Sequence, residues 1–181
     1  MLDIYIIIWL FPIIFMFHDF EEIILIKPWF TKNRERIRVS FPKISGILLP
    51  YTDTLTTPSL SLGVAGMFMM VCVVTVTAYL SGWYNLWFGV FLAFTLHLVS
   101  HCFPGFAFKG YVPAIATSMI CLPICCYMIV LFLQYISISF MQAVNYFLIG
   151  TVLLVATRLI MHIVMQMFDR WLLLNNLKRG C

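Results

Sequence analysis

His18-Asp19-Phe20-Glu21-Glu22 sets an imidazole and three carboxylates within five residues of an otherwise apolar stretch. On a helix, His18 lies beside Glu21 (i, i+3) and Glu22 (i, i+4), so both carboxylates reach the imidazole from one face. Asp19 projects roughly 100° away and stands apart from them. His97 and His101 form a second i, i+4 pair, a spacing that lets two imidazoles grip one metal ion from one helix face. Arg158 and His162 form a third such pair. Imidazole with carboxylate is a donor set for a divalent metal, Zn²⁺ first, with Fe²⁺ or Mn²⁺ as alternatives. On this reading His18, Glu22, His97 and His101 are the metal ligands. Glu21 is the general base that takes a proton from metal-activated water, and Arg158 holds an anionic group. The two glutamates can exchange these roles. Asp19 and His162 are accessory candidates.

The elements that must position these groups are membrane helices. Of 181 residues, 63% are hydrophobic and 10% are charged. Soluble domains run at about 45–50% apolar and about 25% charged, which excludes an ordinary soluble fold. A bilayer core ~30 Å thick needs about 20 apolar residues in helix. Residues 4–26, 60–80, 83–103, 112–133 and 140–167 meet that length. The expected fold is therefore an all-α polytopic bundle, one membrane domain of five transmembrane helices. No basic region precedes the first span, which reads as a retained helix. Six cysteines are present with no C-x-x-C pair, so Cys121, Cys125 and Cys126 read as packing residues rather than ligands.

Residues 27–58 carry four prolines and six of the eleven basic residues, and read as a basic surface loop. Residues 168–181 read as a tail. Alternation puts that loop, the turn before Tyr111 and the tail on one side, with every Lys and Arg except Arg158. The positive-inside rule then places the N-terminus outside and the C-terminus in the cytoplasm, in a multi-pass plasma-membrane protein. The basic loop faces anionic lipid headgroups, and its setting argues against nucleic acid as a partner. Tyr79, Trp83, Tyr84 and Trp87 read as an aromatic belt on the opposite side. Ser59, Gly63 and Gly66 give small-residue spacing for close helix contact.

Depth ties the polar groups together. The first, third and fifth spans run in the same direction. At ~1.5 Å per residue, His18, His97, His101, Arg158 and His162 all reach the cytoplasmic half of the bilayer. All four histidines belong to this set. Ionisable groups at that depth cost about 2.5–3.5 kcal/mol each at the centre, so they face the bundle interior and find partners. One shared polar site is the expectation. The structural alternatives are an interfacial helix end for residues 18–22, satisfied hydrogen bonds for His97 and His101, and a buried ion pair for Arg158. His162 lies near the interface.

His18-Asp19-Phe20-Glu21-Glu22 follows Trp9 and Pro12, and is followed in order by His97, His101 and Tyr111-Val112-Pro113-Ala114. This succession resembles the HXXEE-domain family of small, mostly bacterial membrane proteins. The resemblance runs from Trp9 to Ala114. It implies marked positions at His18, Glu21, Glu22, one of His97 or His101, Tyr111 and Pro113, and it implies no established reaction. The family carries Y-x-P-G where this chain has Ala114, a departure that a helix start tolerates.

Three functions compete. The first is a metal-dependent membrane hydrolase acting on a lipid-soluble or membrane-borne substrate. The second is a transporter for a metal ion, proton or small solute. The third is a non-catalytic subunit, sensor or immunity protein whose polar cluster locks the helices. A site confined to one half of the bilayer suits the first better than the second, and no inverted repeat is visible.

Overall fold

The computed structural model describes residues 3–179, with side chains through Leu174. The side chains of Lys178 and Arg179 in the basic tail, and Cys181, lie outside the described residues. The order is α1 (Ile4–Ser40), α2 (Pro42–Thr54), α3 (Thr57–Ser81), α4 (Tyr84–Phe108), α5 (Ile115–Tyr135) and α6 (Phe140–Arg179). All but α2 are long and apolar enough to cross a bilayer. The all-helical class and the five spans are as the sequence predicts.

Local chemistry explains several helix ends. Thr56 opens α3 with a capping box in which its hydroxyl accepts from the Ser59 N–H and Ser59 reaches back to the Thr56 N–H. Gly82 closes α3 in the left-handed conformation (φ 69°), which costs glycine nothing. The α3–α4 connection is correspondingly short.

The stretch 27–58 differs from expectation. It is a helical hairpin, not a loop. Helix α1 runs 37 residues, about 55 Å at 1.5 Å per residue, far longer than a ~30 Å core requires. Pro28 sits inside it without ending it, and Pro42 takes the first turn of α2, where no N–H is needed. Tertiary contacts offset the local breakers. Lys27 Nζ donates to the carbonyls of Thr52 (2.6 Å) and Asp53 (3.0 Å) at the C-terminal end of α2, where a cation is favoured. Arg34 makes a two-pronged pair with Asp53 and holds its carboxyl below the usual range. Ile37, Leu49 and Phe108 bury a small core beneath the hairpin. Arg36 donates to the Phe108 carbonyl at 2.8 Å and lies over the Phe108 ring at 4.0 Å. Lys27, Arg34 and Arg36 thus engage the chain's own groups.

Helix α1 is the central span: half of its most apolar stretch is buried, whereas for α6 the share is 6%. It packs on α3 and α5 by close backbone approach. It meets α4 mainly through large rings: Phe11 contacts Trp87 (5.8 Å), Phe91 (5.1 Å) and Phe94 (5.4 Å), centroid to centroid. Trp87 is fully buried and stacks on Phe91 and Phe132, so it belongs to the core and not to an aromatic belt. Tyr79 and Trp83 remain exposed.

Helices α4 and α6 pack most extensively, and glycines make their contact possible. A Cβ on Gly150 would sit 2.5 Å from the Gly89 carbonyl carbon and 2.6 Å from the Val90 nitrogen. A Cβ on Gly89 would collide with the Tyr146 backbone. On α3, Gly63 and Gly66 accommodate Met165 and Met161 of α6, the close contact that their spacing predicts.

Candidate metal centre

Four of the predicted ligands converge. One ligand atom from each of His18, Glu22, His97 and His101 lies within 4.8 Å of the other three. The His18 ring centroid is 5.8 Å from that of His97 and 5.0 Å from that of His101. Nε2 of His101 is 3.0 Å from Nε2 of His97 and 3.3 Å from Oε1 of Glu22. In a tetrahedral site with bonds of 2.0–2.2 Å, neighbouring ligand atoms stand about 3.3 Å apart. The two separations around His101 are close to that value. The i, i+4 spacing on α4 aligns two of the donors, and α1 presents the others one turn apart across the bundle.

The tautomer of His18 follows from its neighbours. Thr117 on α5 donates its only hydroxyl proton to Glu21 Oε2 at 2.6 Å, so the same oxygen must accept from Nδ1–H of His18 at 3.1 Å. Nε2 of His18 therefore carries a lone pair. It is buried, without a hydrogen-bond partner, and belongs to the ligand group. An orphaned buried acceptor costs about 1–3 kcal/mol, which a metal ion would relieve. Histidine ligands whose other nitrogen is held by a hydrogen bond are the common pattern in metal sites. The cluster could hold a metal ion on these grounds.

Glu21 and Glu22 separate. Glu22 joins the ligand group, while Glu21 turns to α5. Glu21 Oε2 accepts from the Thr117 backbone N–H (2.7 Å) as well as its hydroxyl, and Oε1 accepts from the Tyr111 hydroxyl. The reason lies in how α5 begins. Ala114 is its N-cap and offers no side-chain cap, so first-turn N–H groups need an external acceptor. A carboxylate from another helix fills that need, favoured by the helix dipole. Partial burial and the bonded Glu21 carboxylate push the Tyr111 hydroxyl above its ordinary value, so it remains a donor. Trp29 Nε1 holds the Tyr111 carbonyl at 2.8 Å.

Ala114 corrects an expectation. Its backbone is left-handed (φ 72°, ψ −9°) and the residue is fully buried. A positive φ suits glycine and costs other L-residues roughly 1–2 kcal/mol. Alanine here is accommodated under strain and is not an ordinary helix start.

The remaining candidates face a cavity of about 600 Å³ between α1, α3, α4 and α6. Asp19, Glu22, His97, Arg158 and His162 all line it. Asp19 is buried, outside the ligand group as its helical angle predicts. Arg158 interacts electrostatically with Asp19 and Glu22 but, among the described residues, makes no ion pair within 4.0 Å. His162 rests on the Tyr51 ring at 5.5 Å and on Gln166 at 2.9 Å, and is not part of the cluster. Thr117 is the residue of this network that spacing misses: it lies 99 positions from His18 in a helix with no Asp, Glu, His, Lys or Arg, and no local pattern marks it.

Neither the curated proteins nor the solved structures provide a match to this chain. The description "protein of unknown function with HXXEE motif" matches residues 9–128, a span that holds the ligand cluster, the Tyr111–Glu21–Thr117 network and the turn at Ala114. The chain belongs to the HXXEE-motif family.

Proposed function

We propose that this multi-pass membrane protein is a divalent-metal-dependent membrane enzyme of hydrolase type, acting on a lipid-soluble or membrane-borne substrate. The observation that carries the reading is the convergence of His18, Glu22, His97 and His101 beside a large cavity, with His18 Nε2 buried and unpartnered. Three imidazoles and one carboxylate suit zinc first, with iron or manganese as alternatives. Three of these donors would hold a divalent ion with one position left open, and such an ion supplies Lewis acidity and lowers the pKa of a coordinated water. Both oxygens of Glu21 are engaged by donors, so we assign Glu21 a positioning role, through Thr117 to His18. The carboxylate facing the cavity outside the ligand group is Asp19, and we assign it the proton-accepting role. Arg158 orients an anionic part of the substrate.

The packing below the cluster favours an enzyme over a transporter. Phe11, Trp87, Phe91 and Phe94 are essentially fully buried and fill the bundle between α1 and α4 on the side of the cluster away from α2. A solute at the cluster has no polar route past them. We place the bundle in the plasma membrane with the basic hairpin in the cytoplasm. Labelling of single cysteines tests this: one introduced at Lys43 reacts only after permeabilisation, one at Ser81 reacts in intact cells, and the reverse pattern rejects it.

The deciding experiment is metal analysis of the purified chain beside His97→Ala. One ion per chain in the wild type, absent from a folded His97→Ala protein, supports the reading. No metal in either folded protein overturns it and leaves the network as a helix lock.

A further inference from the structure

The cavity beside the cluster is built for more than a metal ion. Its volume of about 600 Å³ is in the range of sites that take one drug-sized molecule. Its lining is mostly apolar, with methionines Met67, Met161 and Met165 along α3 and α6. Methionine side chains adapt to flexible apolar ligands. Asp19, Glu22, His97 and Arg158 line the cavity together, and Tyr51, Ser100, Thr151 and His162 are also on its wall. The cavity is not sealed: Leu96, Val155 and Leu159 line it and are 54%, 51% and 61% exposed, on helices that a bilayer would surround. Helices α4 and α6 touch backbone to backbone at Gly89 and Gly150. Two turns further along each helix lie His97 and Arg158, at the level of the cavity.

We propose that this cavity admits from the bilayer a single-chain amphiphile whose anionic head sits at Arg158 beside the His/Glu cluster and whose chain lies against Met67, Met161 and Met165. The head group is argued from Arg158, a fixed cation on the cavity wall beside the cluster. Arg158 lines the cavity, is exposed as a residue and is free of an ion pair within 4.0 Å among the described residues, so its donors are available to an incoming oxyanion. The inference names the substrate class of the proposed metal site and rests on that reading for the head group. The chain site stands on the cavity alone.

The test uses the full chain in phosphatidylcholine nanodiscs, with metal content measured on the same sample. The probe is palmitate carrying a diazirine near the chain end, competed by palmitate, hexadecyl phosphate and hexadecanol. The expected result is photolabel on α3 and α6 at Met67, Met161 and Met165. Palmitate or hexadecyl phosphate should compete about tenfold better than hexadecanol, the effect of one charge-assisted hydrogen bond. Whichever of the two wins identifies carboxylate or phosphate as the head. Arg158→Gln should erase the advantage over hexadecanol and lower labelling only to the level the chain alone supports, with the labelled residues unchanged. Val155→Trp, at a half-exposed position where bulk does not overpack the core, should lower labelling by all chains with metal content unchanged. Labelling spread over the outer faces of the helices and indifferent to Val155→Trp overturns the proposal. Equal competition by hexadecanol in metal-loaded protein overturns the head-group assignment. Labelling of the cavity without bound metal, and without anionic preference, rejects the metal reading while the chain site survives.

Discussion

Thr117 has one hydroxyl proton, Glu21 takes it, and His18 is thereby left with its lone pair on Nε2. Thr117 is thus a positioning residue for the cluster on the proposed reading. In Thr117→Val the side chain keeps its shape and the backbone N–H still reaches Glu21, but Nδ1 of His18 loses its acceptor. Outer-shell losses of this kind cost about 10–100-fold in metal affinity. We expect that fall in a competitive metal titration of folded Thr117→Val, and an unchanged affinity rejects the relay. At this scale the spacing of His18, Glu22, His97 and His101 was legible because i, i+4 periodicity fixes which side chains share a helix face. Spacing did not separate the duties of Glu21 and Glu22. Both are within one turn of His18, and only the position of α5 decides which of them is drawn away.

The start of α5 and the crossing of α4 with α6 show what whole elements require. At Ala114 the left-handed backbone makes glycine the better residue. Ala114→Gly is therefore expected to leave stability unchanged or to raise it by up to about 1 kcal/mol, whereas the same exchange at a helical φ costs about that amount. Thermal unfolding in detergent reads the sign, and a clear loss would contradict the strain. At Gly150 the added methyl of alanine meets backbone, which cannot turn aside as a side chain does. Gly150→Ala should cost about 1–3 kcal/mol or more by overpacking. Gly46→Ala, where a methyl meets nothing within 4 Å, is the control and should not destabilise. Equal thermal midpoints for the two variants would reject the close α4–α6 crossing. The spans themselves were legible from the lengths of apolar runs. The helical hairpin at 27–58 was not, because proline and charge are local signals against helix, and the contacts that offset them, Lys27 with Thr52 and Arg36 with Phe108, join residues 25 and 72 positions apart.

For the molecule as a whole, a metal ion at the cluster would tie α1 to α4, two helices that meet across large side chains with few close backbone approaches. Ligand binding stabilises the folded state by about 2.7 kcal/mol at one hundred times the dissociation constant. For a chain of this size that corresponds to roughly 5–10 °C in the unfolding midpoint. Chelator should lower the wild-type midpoint by that amount and leave His97→Ala unmoved, as measured by scanning calorimetry or thermofluorescence. A wild-type midpoint indifferent to chelator would argue that the cluster is held by its own hydrogen bonds.

The sequence by itself determined that this chain is an all-helical membrane bundle with five spans and that its four histidines lie toward the C-terminal ends of their spans. Both follow from one-dimensional quantities: the length of apolar runs against bilayer thickness, and the rise per residue of a helix. The tertiary structure decided which helices face each other, and so which depth-matched groups actually meet. It brought His18 and Glu22 to His97 and His101, and sent Glu21 to Tyr111 and Thr117. It placed Arg158 and Asp19 on a shared cavity, and left His162 against Tyr51. The rotation of each helix about its own axis is set by packing against its neighbours, through contacts such as Gly89 on Gly150 and Phe11 on Phe91, and a single chain's residue pattern carries no measure of that angle when apolar residues surround the helix on every side.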